Sequence, residues 1–402
     1  MRCLLHIGTE KTGTTLLQDW LYANREALSA QGVCLSDVLD QPNNRKLAAY
    51  FQGRLDDYHQ AHRILDAEAR AAFFSGFEDA FAQEVAAQGG HHHTMVITSE
   101  HFHSRVRAPE DIAALRDFLD GHFDEVKVVC YFREQSEMLR SLYSTAMRVS
   151  HQTTFEEFQQ GFLEPGEYYC DFEQIAERWS GAFGRERCDF RLYDRSAFVD
   201  GDIRRDFVAC LFQPVDADAL DDAVDSANES LSGIEAALFR LINEKVPYWA
   251  DEDGGVNRMN LRLKHAVASC EPLKVGSLGN AATEVRARFE DSNQRFSERF
   301  LDGRRLFDAG PTDNADDALR FSLDDVRAML TALMGAMLDA WPQAGLCDAD
   351  ADLLRDVALK FESGATVGVG EAERLLALAS QARPNGLYIR QKLEEYRRLL
   401  QS

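Results

Sequence analysis

Three short apolar runs, each followed by a helix-like segment, constrain what this chain can fold into more than any other feature. They are RCLLHIG (2–8), TMVITSE (94–100) and VKVVCYF (126–132). Near-continuous apolar strands of this length belong to parallel sheets covered on both faces. A fourth run, CDFRLYD (188–194), alternates apolar with polar residues and precedes the helical DIRRDFVACLF. Strands that alternate with helices predict an α/β fold: a phosphate-loop-like three-layer α/β/α arrangement around a central, mostly parallel sheet.

From about residue 226 the pattern turns helical, in SLSGIEAALFRLINEKV, AATEVRARFEDSNQRFSERFL and SLDDVRAMLTALMGAMLDAW. At 402 residues the chain exceeds the usual single domain. The expected division is an α/β domain over 1–310, mostly helical from 226 to 310, and a C-terminal helical appendage over 315–402. The last two helices should meet at Pro384-Asn385-Gly386, an appendage suited to capping, to homodimer formation or to holding a partner.

Composition narrows the partners. Forty-four Lys and Arg against 67 Asp and Glu give a net charge of −23, which disfavours nucleic acid and anionic membranes. A small anion can still bind, because a few amides and one or two cations decide that at short range. The eight cysteines are scattered without CxxC spacing and read as reduced, buried thiols. The chain starts directly on a strand-like run and nowhere places about 18 apolar residues together, so no membrane span and a cytoplasmic location are expected.

Residues 8–15, GTEKTGTT, have the Gly-x4-Gly spacing of a phosphate loop and lie between an apolar strand and an amphipathic helix. Successive amides and the positive helix end there would cradle an anion. In a nucleotide-triphosphatase loop the lysine follows the second glycine and a hydroxyl then holds magnesium. Here Thr14 follows Gly13, and Lys11 precedes it. The loop is therefore of another kind, or a strand-to-helix turn whose glycine and threonines serve geometry alone.

The EKTGTT stretch resembles the 5′-phosphosulfate loop of sulfotransferases that use 3′-phosphoadenosine 5′-phosphosulfate, and is close to the KTGTT of the heparan N-sulfotransferase branch. VVCYFREQSEMLRSLYS (128–144) resembles the same family's 3′-phosphate motif, a strand ending in Arg with a Ser eight residues on: Arg133 and Ser141. An Arg at a strand's carboxyl end faces the crevice where open α/β sheets bind ligands. The resemblance covers about residues 1–300 and implies that Lys11, Thr12, Gly13, Thr14 and Thr15 hold the phosphosulfate, with Lys11 on the leaving oxygen, and that Arg133 and Ser141 hold the 3′-phosphate. FRLYDRSAF is similar to the late strand whose Tyr, here Tyr193, contacts adenine, and NESLS (228–232) looks like a segment common in bacterial members that serves as a ligand contact or a helix N-cap. The late Arg-Lys-Gly segment of cytosolic members is missing, so the rest of the 3′-phosphate site has no assignment.

Between these motifs, where the family carries its base, stand Glu100 and beside it His101. Either could take an acceptor proton; Glu100 is the first choice. The HHH run at 91–93, with His101 and His103, does not call for a metal, since three consecutive side chains cannot face one ion and Gly89-Gly90 mark a loop. The expected reaction is a metal-independent sulfuryl transfer to a hydroxyl or amine of a carbohydrate, lipid or small alcohol. DQPNNRKLAAYFQGRLDDYHQ (40–60) is a candidate lining for that acceptor, or else a surface helix pair. The rivals are a nucleotide-dependent kinase, which would want Lys after the second glycine and a strand ending in Asp, and a non-catalytic nucleotide-binding scaffold.

Overall fold

The structure, a computed structural model, describes residues 1–224, 230–249, 255–276, 281–307, 322–340, 348–363, 369–383 and 386–401. Asn228, Cys347, Pro384 and Asn385 lie outside them.

Five strands form one parallel sheet: β1 (Arg2–His6), β2 (Val33–Leu35), β3 (Thr94–Thr98), β4 (Val126–Phe132) and β5 (Cys188–Leu192), in the order β2-β3-β1-β4-β5. The fold is α/β. Successive residues of the central strands bury themselves on opposite faces. Cys3, Leu5, Ile7, Met95, Ile97, Val128 and Phe132 join one core cluster, under the helices Pro109–Asp120 and Phe172–Phe183. Leu4, Val96, Val129 and Tyr131 join the other, against Leu17, Trp20 and Leu21 of the helix Thr14–Ala23 and Phe207 of the helix Ile203–Val208. This two-sided burial is why the runs carry so few polar residues.

The four expected strands are present. β2 is the addition, three residues too short to leave a run in the sequence, and it pairs with β3 from Val33↔Thr94 to Leu35↔Val96. β1 lies between β3 and β4, and the chain leaves it toward β2 and β3 before crossing to β4. Ligands of open α/β sheets bind beyond the carboxyl ends of strands at such a reversal.

The chain divides into two compact units, one built from 1–142, 159–229 and 281–312, the other from 143–158, 230–280 and 313–402. The division is not at 310–315 as expected. In the second unit the helix Arg258–Ala268 packs on Leu323–Ala340, so segments sequentially before residue 310 share a core with segments after it. Ser232 caps the helix Gly233–Lys245: its hydroxyl accepts from the Glu235 amide at 3.3 Å while Glu235 accepts from the Ser232 amide at 2.8 Å. Toward the C-terminus, Leu354, Ala358, Leu375, Leu376, Ile389, Leu393 and Tyr396 form a separate cluster among the helices Asp348–Ser363, Val369–Ala382 and Leu387–Gln401. Among the described residues, no helix is long and apolar enough to cross a membrane.

Candidate functional site

The site begins where β1 runs out of residues before its neighbour β4. His6 pairs with Thr98 on one side and with Val129 on the other, so β4 continues three residues farther. The chain leaving β1 follows it. The Ile7 amide donates to the Val129 carbonyl at 3.0 Å, the Tyr131 amide to the Gly8 carbonyl at 2.7 Å, and the Thr9 amide to the Tyr131 carbonyl at 2.9 Å. These bonds carry the turn to the end of β4, where Arg133 is the first residue beyond the strand. Its Nη1 donates to the carbonyl of Lys11 at 3.2 Å.

Within the turn, Lys11 adopts φ 66° and Gly13 φ 70°. Thr12 is fully buried, and its hydroxyl donates to the Thr9 carbonyl at 2.6 Å, so it braces the turn from within. Gly13 is the N-cap of the helix Thr14–Ala23 and offers no side chain to its first amides, which leaves the partial positive charge of that helix end uncapped by a side chain. Thr14 is buried and Thr15 exposed. A Cβ on Gly13 would stand 3.1 Å from Oη and 3.2 Å from Cε2 of Tyr193. Tyr193 follows β5, is held by its amide donating to the Phe132 carbonyl at 2.7 Å, and has the Arg133 guanidinium 5.8 Å from its ring centre.

Glu100 enters from the other side. The Ser99 amide continues the ladder to the His6 carbonyl at 2.9 Å, which seats Glu100 against Gly8. A Cβ on Gly8, at φ 102°, would stand 3.1 Å from the Glu100 Cα and 3.2 Å from the Glu10 amide nitrogen. Only a glycine lets these backbones approach so closely. Gln18, one turn into the helix, donates Nε2 to Glu100 Oε2 at 2.7 Å. Burial pushes the Glu100 carboxyl above the usual range; the Gln18 bond and Lys11 oppose this, and the charge of Glu10 adds to it. His101 Nε2 stands 3.8 Å from Glu100 Oε1, too far for a hydrogen bond. Burial, with Arg45 and Arg105 nearby, lowers His101 to about 4, so the ring is neutral at pH 7.

The structure thus brings together the 8–15 turn, Glu100, His101, Arg133 and Tyr193 at the carboxyl ends of β1, β3, β4 and β5. Ser141 is on the second turn of the helix Gln135–Arg148 that begins just after Arg133. The 40–60 segment carries two short helices, Arg45–Phe51 and Asp57–Ala61, which bury Arg45, Leu47, Ala48, Ala49, Tyr58 and His59 and leave Arg54, Leu55, Asp57 and Gln60 exposed. Arg45 and Arg105 both ion-pair with Asp56, whose carboxyl His59, Arg45 and Gln52 hold far below its usual range against the opposing effect of burial. Gln18, Glu10 and Tyr169 also stand at this edge and are passed over by sequence reading, in which His103 enters only beside the HHH run. A polar residue on the inward face of an amphipathic helix is the one signal that could have found Gln18. Among the described residues no group of three or more His, Cys, Asp or Glu is placed to hold a metal ion, and His92 of the HHH run instead bonds the Ser29 hydroxyl at 2.8 Å.

No model of a known protein family matches the chain. An uncharacterized protein of Archaeoglobus fulgidus is 29% identical over 213 residues, 53% of this chain and 55% of that protein. The chain therefore matches about half the length of that curated relative. Among solved structures, the crystal structure of a sulfotransferase from Alicyclobacillus acidocaldarius is similar at 16% identity with a TM-score of 0.28, over 47% of this chain and 72% of that one.

Proposed function

We propose that the chain is a sulfotransferase that uses 3′-phosphoadenosine 5′-phosphosulfate. The observation that carries the reading is the meeting of two sequence motifs 122 residues apart: Arg133, of the 3′-phosphate-like motif, bonds the carbonyl of Lys11, of the phosphosulfate-like loop. A nucleotide bisphosphate fits this edge. The uncapped amides after Gly13 and the Thr14 and Thr15 hydroxyls suit the 5′ group, Arg133 with Ser141 suits the 3′-phosphate, and the Tyr193 ring suits the base.

The donor supplies an activated sulfuryl group on a phosphate leaving group. The protein's part is positioning and electrostatics. Lys11 stabilises the charge that grows on the leaving oxygen, and such a preorganised contact contributes about 3 to 4 kcal/mol to the transition state. Glu100 takes the proton of the acceptor hydroxyl or amine. Its buried carboxyl is a stronger base than an exposed one, whereas the neighbouring His101 is weakened by burial, which favours Glu100 for the role. The acidic chain favours an uncharged acceptor such as a carbohydrate, lipid or small alcohol over a polyanion.

Calorimetric titration tests the reading. Adenosine 3′,5′-bisphosphate should bind in the absence of metal and more tightly than ATP with magnesium. A preference for ATP with magnesium refutes it in favour of a kinase, and tight bisphosphate binding without transfer to any acceptor tried would point to a non-catalytic binding protein.

A further inference from the structure

Gly8 has two carboxylate-bearing neighbours. The Glu100 Cα and the Glu10 amide both lie against the space where a Gly8 side chain would be. Glu10 is also clamped in a way that Glu100 is not. The Tyr169 hydroxyl donates to Glu10 Oε2 at 2.6 Å, and the Glu10 amide donates to His103 Nδ1 at 3.4 Å. His103 Nε2 in turn donates to the Tyr169 carbonyl at 2.9 Å. That closes a ring of three residues and assigns the tautomer, with the proton on Nε2 and the lone pair on Nδ1.

We infer that Glu10 is a positioning residue for Glu100: its clamped negative charge, beside the same glycine, strengthens Glu100 as the proton acceptor. The inference rests on the transferase reading for its catalytic consequence, though not for its electrostatics. The two carboxylates are driven apart in proton affinity. Burial pushes Glu10 up, but the nearby Ser104 hydroxyl, the Tyr169 bond and the Arg105 charge outweigh it and hold Glu10 below the usual range. Burial and the Glu10 charge together hold Glu100 above it. Separation of two acids by environment is how one carboxylate stays charged while its neighbour exchanges a proton.

The Ser104 hydroxyl and the Arg105 guanidinium both act on Glu10 in the lowering sense. Lys11 of the turn and Gln18 of the following helix act on Glu100 in the opposite sense to Glu10. His101 is neutral at pH 7 and is itself faced by Arg45, Arg105 and Asp56. His103 is fully buried and also lowered to about 4 by burial, so it adds no full charge at pH 7. Of the two charges named as acting on Glu100, that of Glu10 raises its proton affinity and that of Lys11 lowers it.

Carboxyl-carbon NMR titration of the full chain tests this, with the Glu100 resonance assigned through Glu100→Gln. Glu10→Gln keeps an oxygen to accept from Tyr169 but removes the charge. It should lower the Glu100 midpoint by about half a pH unit to one unit, the size expected of one charge across a partly solvated site. Tyr169→Phe removes the clamp but leaves the charge, and should lower the midpoint less. A Glu100 midpoint unmoved by Glu10→Gln overturns the inference, as does an equal shift in both variants, which would mean that Glu10 only holds the turn. In a transfer assay the acidic limb of the Glu10→Gln pH profile should move down with the midpoint. A limb that stays fixed while the midpoint moves removes Glu10 from catalysis. If the wild-type chain transfers no sulfuryl group, the transferase reading fails while the titration still decides the electrostatic role.

Discussion

Gly13→Ala separates two effects that the structure makes additive. The first is backbone strain: Gly13 sits at φ 70°, ψ 20°, and an L-residue in the left-handed region is disfavoured by about 1 to 2 kcal/mol. The second is crowding, because the new methyl would stand 3.1 Å from Tyr193 Oη, tighter than ordinary van der Waals contact. Gly76 supplies the control. It is likewise an N-cap glycine, at φ 73°, ψ 6°, but nothing lies within 4 Å of its added Cβ. Gly76→Ala should therefore show the backbone effect alone, a Tm fall of about 2 to 8 °C, taking about 2 to 4 °C per kcal/mol for a unit of the size that holds both glycines. Gly13→Ala should add about 1 kcal/mol or more from overpacking, and Tyr193→Phe should recover part of that addition in a double-mutant cycle. Thermal scans measure the stability, and calorimetry with adenosine 3′,5′-bisphosphate measures the site. Only Gly13→Ala should weaken binding, because only there does an aromatic ring have to move. Equal Tm shifts for the two alanines, with bisphosphate affinity unchanged in both, would refute the seating of Tyr193 on the turn.

Four further outcomes are expected. Lys11→Ala should slow sulfuryl transfer by roughly a hundredfold or more, with the fold intact by circular dichroism; a smaller loss removes Lys11 from the transition state. Arg133→Ala should weaken adenosine 3′,5′-bisphosphate binding by about tenfold or more, one charge-assisted contact, and leave ATP binding nearly unchanged. Glu100→Gln should cut transfer by about a hundredfold or more yet raise Tm at pH 7. A carboxyl raised in the folded state binds its proton more tightly than the unfolded chain does, so its stabilising effect is lost as pH rises through the folded value, and the neutral amide avoids that loss. Histidine linkage has the opposite sign. His6, lowered to about 3, and His101 and His103, lowered to about 4, are favourable to folding above the ordinary value of 6.5. Unfolding free energies from urea titrations should fall between pH 6.5 and 4 by about 1.4 kcal/mol per group for each pH unit, and His103→Asn should flatten that slope.

The reading of strands and turn succeeded where the physics is local. β1, β3 and β4 are buried on both faces, so nearly every residue in them must be apolar, and that leaves a run visible without any partner. The 8–15 turn needs glycines at Gly8 and Gly13 because the backbone there is left-handed and crowded, and those residues stand in the sequence itself. Arg133 is legible for the same reason, as the first residue after an apolar strand. The sequence alone thus determined an α/β chain with a glycine-containing turn and an arginine at matching strand ends.

Tertiary structure decided how these parts meet. That Arg133 reaches Lys11 depends on β4 outrunning β1 in their shared register, and that register is a pairing, not a pattern. Gln18 finds Glu100 across 82 residues and Tyr169 finds Glu10 across 159, so no periodicity links either pair. β2 is too short to show a period, and the regrouping of 143–158 and 230–280 with the C-terminal helices follows from helix packing that amphipathic faces permit but do not specify. A side chain's type is written in the sequence; its proton affinity is set by burial and by neighbours from distant segments, and for Glu10 and Glu100 those influences lower one carboxylate and raise the other.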